Sequence, residues 1–109
     1  MKMYELDILP YAQQDIYEIA SYFYSVNPEF SKKLYFNLKD KINELKYFPE
    51  KGVIVPELEK QGFLKYRQLI EGNYRIIYSI VGKKVFVHLV IDSRRNLEEL
   101  LINKLQKGS

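Results

Sequence analysis

Cationic side chains and one histidine are threaded through the C-terminal half of the chain: Arg67, Arg75, His88, Arg94 and Arg95, with Asp92 among them. A guanidinium is planar and binds two oxygens of a phosphate at once. The chain's single histidine belongs to the residue type that changes charge near neutral pH, so it can carry a proton. RNA is cut without a metal when its own 2′-hydroxyl attacks the neighbouring phosphate, which requires a base, an acid and positive charge on the phosphorane. Arg75, Arg67, Arg95 and His88 are the residues here that can supply such a set. No cofactor and no bound metal enter that chemistry. The chain has no cysteine, which excludes thiolate catalysis and disulfides.

Whether these groups meet depends on strand register. Three runs read as strands, Lys65–Ile70, Tyr74–Val81 and Lys84–Asp92, separated by turns at Glu71-Gly72-Asn73 and Gly82-Lys83. With Gly82-Lys83 as a two-residue turn, Ser79 faces Phe86, Ile77 faces His88 and Arg75 faces Val90. One face then carries Tyr74, Ile76, Tyr78 and Ile80 beside Val85, Val87, Leu89 and Ile91, and this greasy side must pack on helices. The opposite face carries Arg75, Ile77 and Ser79 beside Phe86, His88, Val90 and Asp92. A three-residue Glu71-Gly72-Asn73 loop pairs Ile70 with Tyr74 and brings Arg67 to the polar face. A two-residue Gly72-Asn73 turn sends it to the helix side, where a charge is costly, so the three-residue register is the expectation. A purely structural account of the same residues also stands: an open sheet face is polar because it is wet, Arg75 pairs with Asp92, and His88 is one polar neighbour among others. In either account Arg75 is exposed, and its removal leaves the fold intact.

The remaining elements are those that must hold this sheet. Met3–Leu9 alternates and ends at Pro10, as a first strand does. From Tyr11 to Val26, Ala12, Ile16, Ile19, Ala20 and Phe23 form one helical stripe. Asn27-Pro28 breaks that helix and caps a second, whose apolar face is Phe30, Leu34, Leu38, Ile42 and Leu45, ending at Phe48-Pro49. Glu50–Leu64 is rich in Pro and Gly and reads as a loop, with a short extended piece at Val53–Val55. Asn96 with Glu99 resembles a capping box, and Leu97, Leu100, Leu101 and Leu105 give a final amphipathic helix. The order is β-α-α-β-β-β-α, an α+β fold with a helical hairpin packed on one face of a mostly antiparallel sheet.

Length and composition agree. The 109 residues suit one domain, spanning 1–109, and 47% hydrophobic residues suffice for a core. No stretch approaches the roughly 18–20 apolar residues of a membrane span, and the first residues carry no signal-peptide core, so the expectation is a cytoplasmic protein with no membrane partner. The formal charge of +3 is mildly basic and compatible with nucleic acid or an acidic protein. Ten tyrosines are more than a core of this size absorbs, so some lie on the surface, where they favour contact with a protein or with bases.

Several motifs resemble those of RelE/ParE toxins from type II toxin–antitoxin systems. They are Tyr66-Arg67, then Gly72-Asn73-Tyr74-Arg75-Ile76-Ile77-Tyr78, the strand Val85–Val90, and Arg94-Arg95-Asn96 before the last helix. Pro10-Tyr11-Ala12-Gln13-Gln14-Asp15-Ile16 and the Leu45–Pro49–Gly52 spacing fit the family's N-terminal half. The resemblance implies a RelE/ParE-like fold and a toxin neutralised by a cognate antitoxin that wraps it and blocks the sheet face. RelE-like members cleave mRNA in the ribosomal A site; ParE-like members poison DNA gyrase and are not nucleases. In the RelE-like branch, the arginine matched by Arg75 stabilises phosphate, Arg95 matches a second arginine, and Arg67 stands where that branch often has Lys. Leu101 stands near that branch's terminal-helix tyrosine, and a histidine close to the chain end is absent. The long hairpin from Tyr11 to Phe48 is more ParE-like. The leading expectation is therefore a growth-inhibiting toxin acting by ribosome-dependent mRNA cleavage, a metal-independent endoribonuclease, with gyrase poisoning the alternative and a degenerate antitoxin-binding module the third. The oligomeric state is left open.

Overall fold

The computed structural model describes residues 3–95 together with Leu97 and Glu98. Strand β1 (Glu5–Ile8) leads into helix α1 (Pro10–Val26), where Pro10 occupies the first turn and needs no amide partner. Asn27 separates the two long helices. Its amide donates to the Phe23 carbonyl at 2.7 Å, closing α1, while its side chain accepts the Phe30 N–H at 3.2 Å and opens α2 (Pro28–Asn43). Ser31 Oγ, almost wholly buried, donates to the Ala20 carbonyl at 2.6 Å and ties the hairpin together. The second helix ends earlier than Phe48, passing at Glu44–Lys46 into a single 3₁₀ turn.

The expected apolar stripes meet the sheet. Ala12, Ile16, Leu34, Leu38, Ile42 and Leu45 bury against Leu69, Ile76, Tyr78, Val85, Val87 and Val90. Phe30, placed on that face by its spacing, instead stays 47% exposed at the end of the hairpin. Past α2, the short strand β2 (Val53–Ile54) realises the expected extended piece. A one-turn helix, α3 (Pro56–Glu59), follows within what read as loop. Strands β3 (Tyr66–Glu71), β4 (Tyr74–Val81) and β5 (Lys84–Asp92) complete a five-stranded sheet ordered β1-β5-β4-β3-β2, in which only the β1–β5 pairing is parallel. The fold is α+β with the helical hairpin on a mostly antiparallel sheet. The expected terminal helix falls chiefly on residues outside the described ones; within them, Leu97 is buried.

Two features of register differ from expectation. First, Glu71 pairs with Tyr74 and Ile70 with Arg75, so the turn is the two-residue Gly72-Asn73 with Gly72 at φ +58°, a conformation that glycine reaches without Cβ strain. Arg67 therefore lies opposite Tyr78, on the helix side. The cost argued against this arrangement is not incurred, because the guanidinium donates to the Gly52 carbonyl at 2.8 Å and stays partly exposed. Second, a β-bulge interrupts β5. Ile77 pairs with Leu89 but Tyr78 with Val87, leaving His88 as the extra residue. Beyond it the alternation inverts: Val90 turns to the helices, whereas Leu89 and Ile91 turn to the opposite, outer face.

That outer face is not wet. Val55, Leu58, Tyr66, Ile77, Leu89, Ile91 and Leu97 form a second buried cluster, with Phe63 packed on it. The segment containing α3 lies over the sheet and excludes water from it, which corrects the expected division into one dry and one polar side.

Candidate functional site

Arg75 sits on the outer face of β4 with only 8% of its surface exposed. Nη1 and Nη2 each donate to one carboxylate oxygen of Glu57 at 2.7 Å, and Nε donates to Gln68 Oε1 at 2.9 Å. Pro56 at the first position of α3 sets the turn that aims Glu57 at the sheet. The hydrogen bonds from Arg75 hold the Glu57 carboxyl below its ordinary range, against the opposing effect of burial. The guanidinium fork expected to receive a phosphate is thus filled by an internal carboxylate.

Arg67 does not join it. Its side chain leaves the sheet on the helix side, beside Tyr78, where it helps fix the loop after α2. Tyr78 is fully buried; its hydroxyl donates to the Pro49 carbonyl at 2.7 Å and accepts the Gly52 N–H at 2.9 Å. A Cβ on Gly52 would lie 2.5 Å from both that hydroxyl and the Gln68 carbonyl, so only glycine fits. The Leu45–Pro49–Gly52 spacing is in this way explained by packing: Leu45 is buried in the main core, and Pro49 and Gly52 present backbone to Tyr78.

His88 shares the outer face with Arg75 but serves different partners. Its Nε2 lies 2.8 Å from Ser79 Oγ, and its ring meets that of Tyr66 edge-on at 5.3 Å. Ser79 is four residues from Arg75 along β4, about 13 Å at the usual strand rise, so the imidazole and the guanidinium do not act on one atom. Burial, and secondarily the Lys65 charge, push the His88 pKa down to about 4, leaving the ring neutral at pH 7.

Asp92 pairs with Tyr74 and therefore belongs to the helix side, away from Arg75. The expected Arg75–Asp92 pair is replaced by Arg94: its Nη2 and backbone N–H reach the carboxylate at 2.8 Å each. These bonds hold the partly buried Asp92 carboxyl down at about 2. Arg95 is exposed and borders a cleft between α1 and the end of β5, with Tyr22, Tyr74 and Asp15. The four sequence-derived candidates therefore occupy separate places: Arg75 under α3, Arg67 behind the sheet, His88 against Ser79, and Arg95 at the cleft.

Glu57, Gln68 and Ser79 are the partners that the sequence reading did not assign. The signal for Glu57 was present in Val55-Pro56-Glu57-Leu58, a proline-led helix start with an acid in its first turn. Asp15, noted only as part of a motif, accepts the Val90 N–H at 2.9 Å. Strand β1 stops at Ile8, opposite Val87, so the amide of Val90 lies beyond the parallel ladder and takes its acceptor from α1 instead.

The architecture has known relatives. A family model described as "ParE toxin of type II toxin-antitoxin system, parDE" matches residues 6–97. Among solved structures the chain is similar to the chromosomal ParDE toxin–antitoxin system from P. aeruginosa, with a TM-score of 0.66 and 18% identity over 83% of this chain and 96% of that one. It is also similar to the RelBE2 toxin–antitoxin complex from Mycobacterium tuberculosis, with a TM-score of 0.55 and 17% identity over 84% and 93% of the respective chains. At such identities these two likenesses are of fold. No curated protein matches. The family match covers the helical hairpin and all of the sheet except the first residue of β1, and by it this chain belongs to the ParE toxins of type II toxin–antitoxin systems, within the RelE/ParE superfamily.

Proposed function

We propose that the chain inhibits growth by binding and poisoning DNA gyrase, without nuclease activity, and that a cognate antitoxin holds it in check. The observation carrying this reading is the closure of Arg75 by Glu57 and Gln68. Metal-independent RNA cleavage needs an open cation at the phosphate and a proton carrier beside it. Here the best-placed guanidinium is internally paired, Arg67 leaves from the other face, and the one histidine is neutral and bonded to a serine. Gyrase poisoning requires only a stable docking surface, which the exposed tyrosines of the hairpin can provide. The ParE family match points the same way, so gyrase poisoning takes precedence over the expected mRNA cleavage.

The antitoxin partner is drawn from the same kinship, since both structural relatives are toxin–antitoxin assemblies. The test is controlled expression followed by two readouts. The expected result is growth arrest with inhibited supercoiling by purified gyrase and intact transcripts in primer extension. Cuts within codons of translated mRNA, with gyrase unaffected, would overturn the reading in favour of the nuclease. Absence of any arrest would leave a module that only binds its antitoxin.

A further inference from the structure

Helices α1 and α2 pack on the sheet through one side each, and along the flank of the hairpin where β1 ends at Ile8 lies a groove of about 320 Å³ between them. Ile16 and Ala20 form part of its floor, while Tyr17, Tyr35 and Lys39 flank it. Tyr17 is 67% exposed and Tyr35 38%, and the stripe continues to Tyr24 at 56%. Tyr17 and Tyr24 hold more than half of their surface in water on a rigid hairpin, and such rings are the usual anchors of protein interfaces.

The charges are sorted as well. Helical phase places positions 13, 17, 20 and 24 of α1 and 28, 32, 35 and 39 of α2 along this side. These positions carry three tyrosines, Lys32 and Lys39, and no carboxylate. Asp15 and Glu18 of α1 point to the other flank, at the cleft beside β5. An apolar floor under aromatic walls, with lysines and no carboxylate among the lining and flanking positions, complements an acidic segment that inserts an apolar side chain.

We propose that this groove is the surface through which the toxin holds DNA gyrase, taking an acidic, partly apolar segment of that enzyme. The inference rests on the gyrase reading above. A single-stranded nucleic acid would use the aromatic rings and lysines too, but would not need the apolar floor of Ile16 and Ala20.

The test uses the full chain and reconstituted DNA gyrase, with supercoiling inhibition and direct binding as readouts. In a Tyr17→Ala/Lys39→Glu variant both are expected to weaken at least tenfold, while Lys83→Glu, a charge change of equal size at the β4–β5 turn, leaves them unchanged. The rim lysines also predict that added salt weakens wild-type binding more than that of the variant. Thermal melts of both proteins check the fold, and Tyr35→Ser supplies an independent change in the same groove. Undiminished inhibition by both groove variants would overturn the assignment while leaving the gyrase reading intact. If the wild-type chain neither binds nor inhibits gyrase, the underlying reading fails and the assignment with it. Two further results would overturn it: loss of an oligo-dT complex with gyrase inhibition retained, which makes nucleic acid the occupant, or loss of antitoxin protection with gyrase inhibition retained, which makes the antitoxin the occupant.

Discussion

Arg75 and Glu57 close on each other as a fork on a fork, with two N–H···O bonds of 2.7 Å joining the start of β4 to α3. The guanidinium is nearly excluded from water, with Gln68 accepting from Nε, and the pair holds α3 over the second core. Removing one partner of such a pair leaves the other desolvated and alone. Arg75→Ala is therefore expected to lower stability by about 1–3 kcal/mol, less than for a fully buried pair because Glu57 keeps some contact with solvent. This replaces the expectation of a neutral surface substitution. Urea denaturation of Arg75→Ala, Glu57→Gln and the double variant checks it: the double variant should lose less than the sum of the singles.

The Tyr78 hydroxyl bridges a carbonyl and an amide of the loop after α2, and both bonds are buried. Tyr78→Phe keeps the ring in the core but leaves the Gly52 N–H and the Pro49 carbonyl unsatisfied, an expected cost of about 1–3 kcal/mol. Gly52→Ala attacks the same junction by overlap with the Tyr78 hydroxyl and the Gln68 backbone, and should cost at least as much. Thermal unfolding of the two variants, with unchanged far-ultraviolet dichroism, is the measurement. A Tyr78→Phe protein as stable as wild type would remove the bridge from the account.

Both long helices, their Asn27 cap and the strands at Tyr74–Val81 and Lys84–Asp92 were legible because period and punctuation act locally. The relative facing of Arg67 and Arg75 was not. It turns on whether the Gly72 turn holds two residues or three, and one residue of register moves every side chain to the other face. The penalty invoked to choose between the two was real for a closed interior, but Arg67 finds the Gly52 carbonyl from a loop whose path no local pattern encodes. The bulge at His88 was hidden for a similar reason: an extra residue in β5 leaves no compositional mark, and its neighbouring amide is satisfied by Asp15, far away in sequence. Glu57 escaped because a four-residue helix is too short to show a period.

Asp15 therefore has a structural role that follows from where β1 ends. Its carboxylate takes the Val90 amide just past the bulge, a hydrogen bond to a charged acceptor. Asp15→Ala should cost about 1–2 kcal/mol and loosen β5 locally. Amide exchange read by residue is the check: protection at Val90 should fall well before that of Ile76 or Tyr78, and uniform protection across β5 in the variant would show that the bulge holds without it.

His88 gives the chain an acid sensitivity whose sign can be worked out. Folded, its pKa is pushed down to about 4, mainly by burial; unfolded, it returns to the ordinary value near 6.5. Between those values the unfolded chain binds the extra proton, so stability rises with pH through this window and is flat above it. Acidification from pH 7 towards 4 should thus remove stability, about 2 kcal/mol once the partial exposure of the ring is allowed for. The interval from pH 4.5 to 6.5 is diagnostic, because the lowered carboxyls of Glu57 and Asp92 add their own losses only below it. His88→Gln keeps a polar partner for Ser79 and should flatten that interval. As the chain has one histidine, the proton on its Cε1 gives a single NMR titration; a midpoint near 6.5 in the folded protein would contradict the buried, neutral imidazole on which this prediction depends.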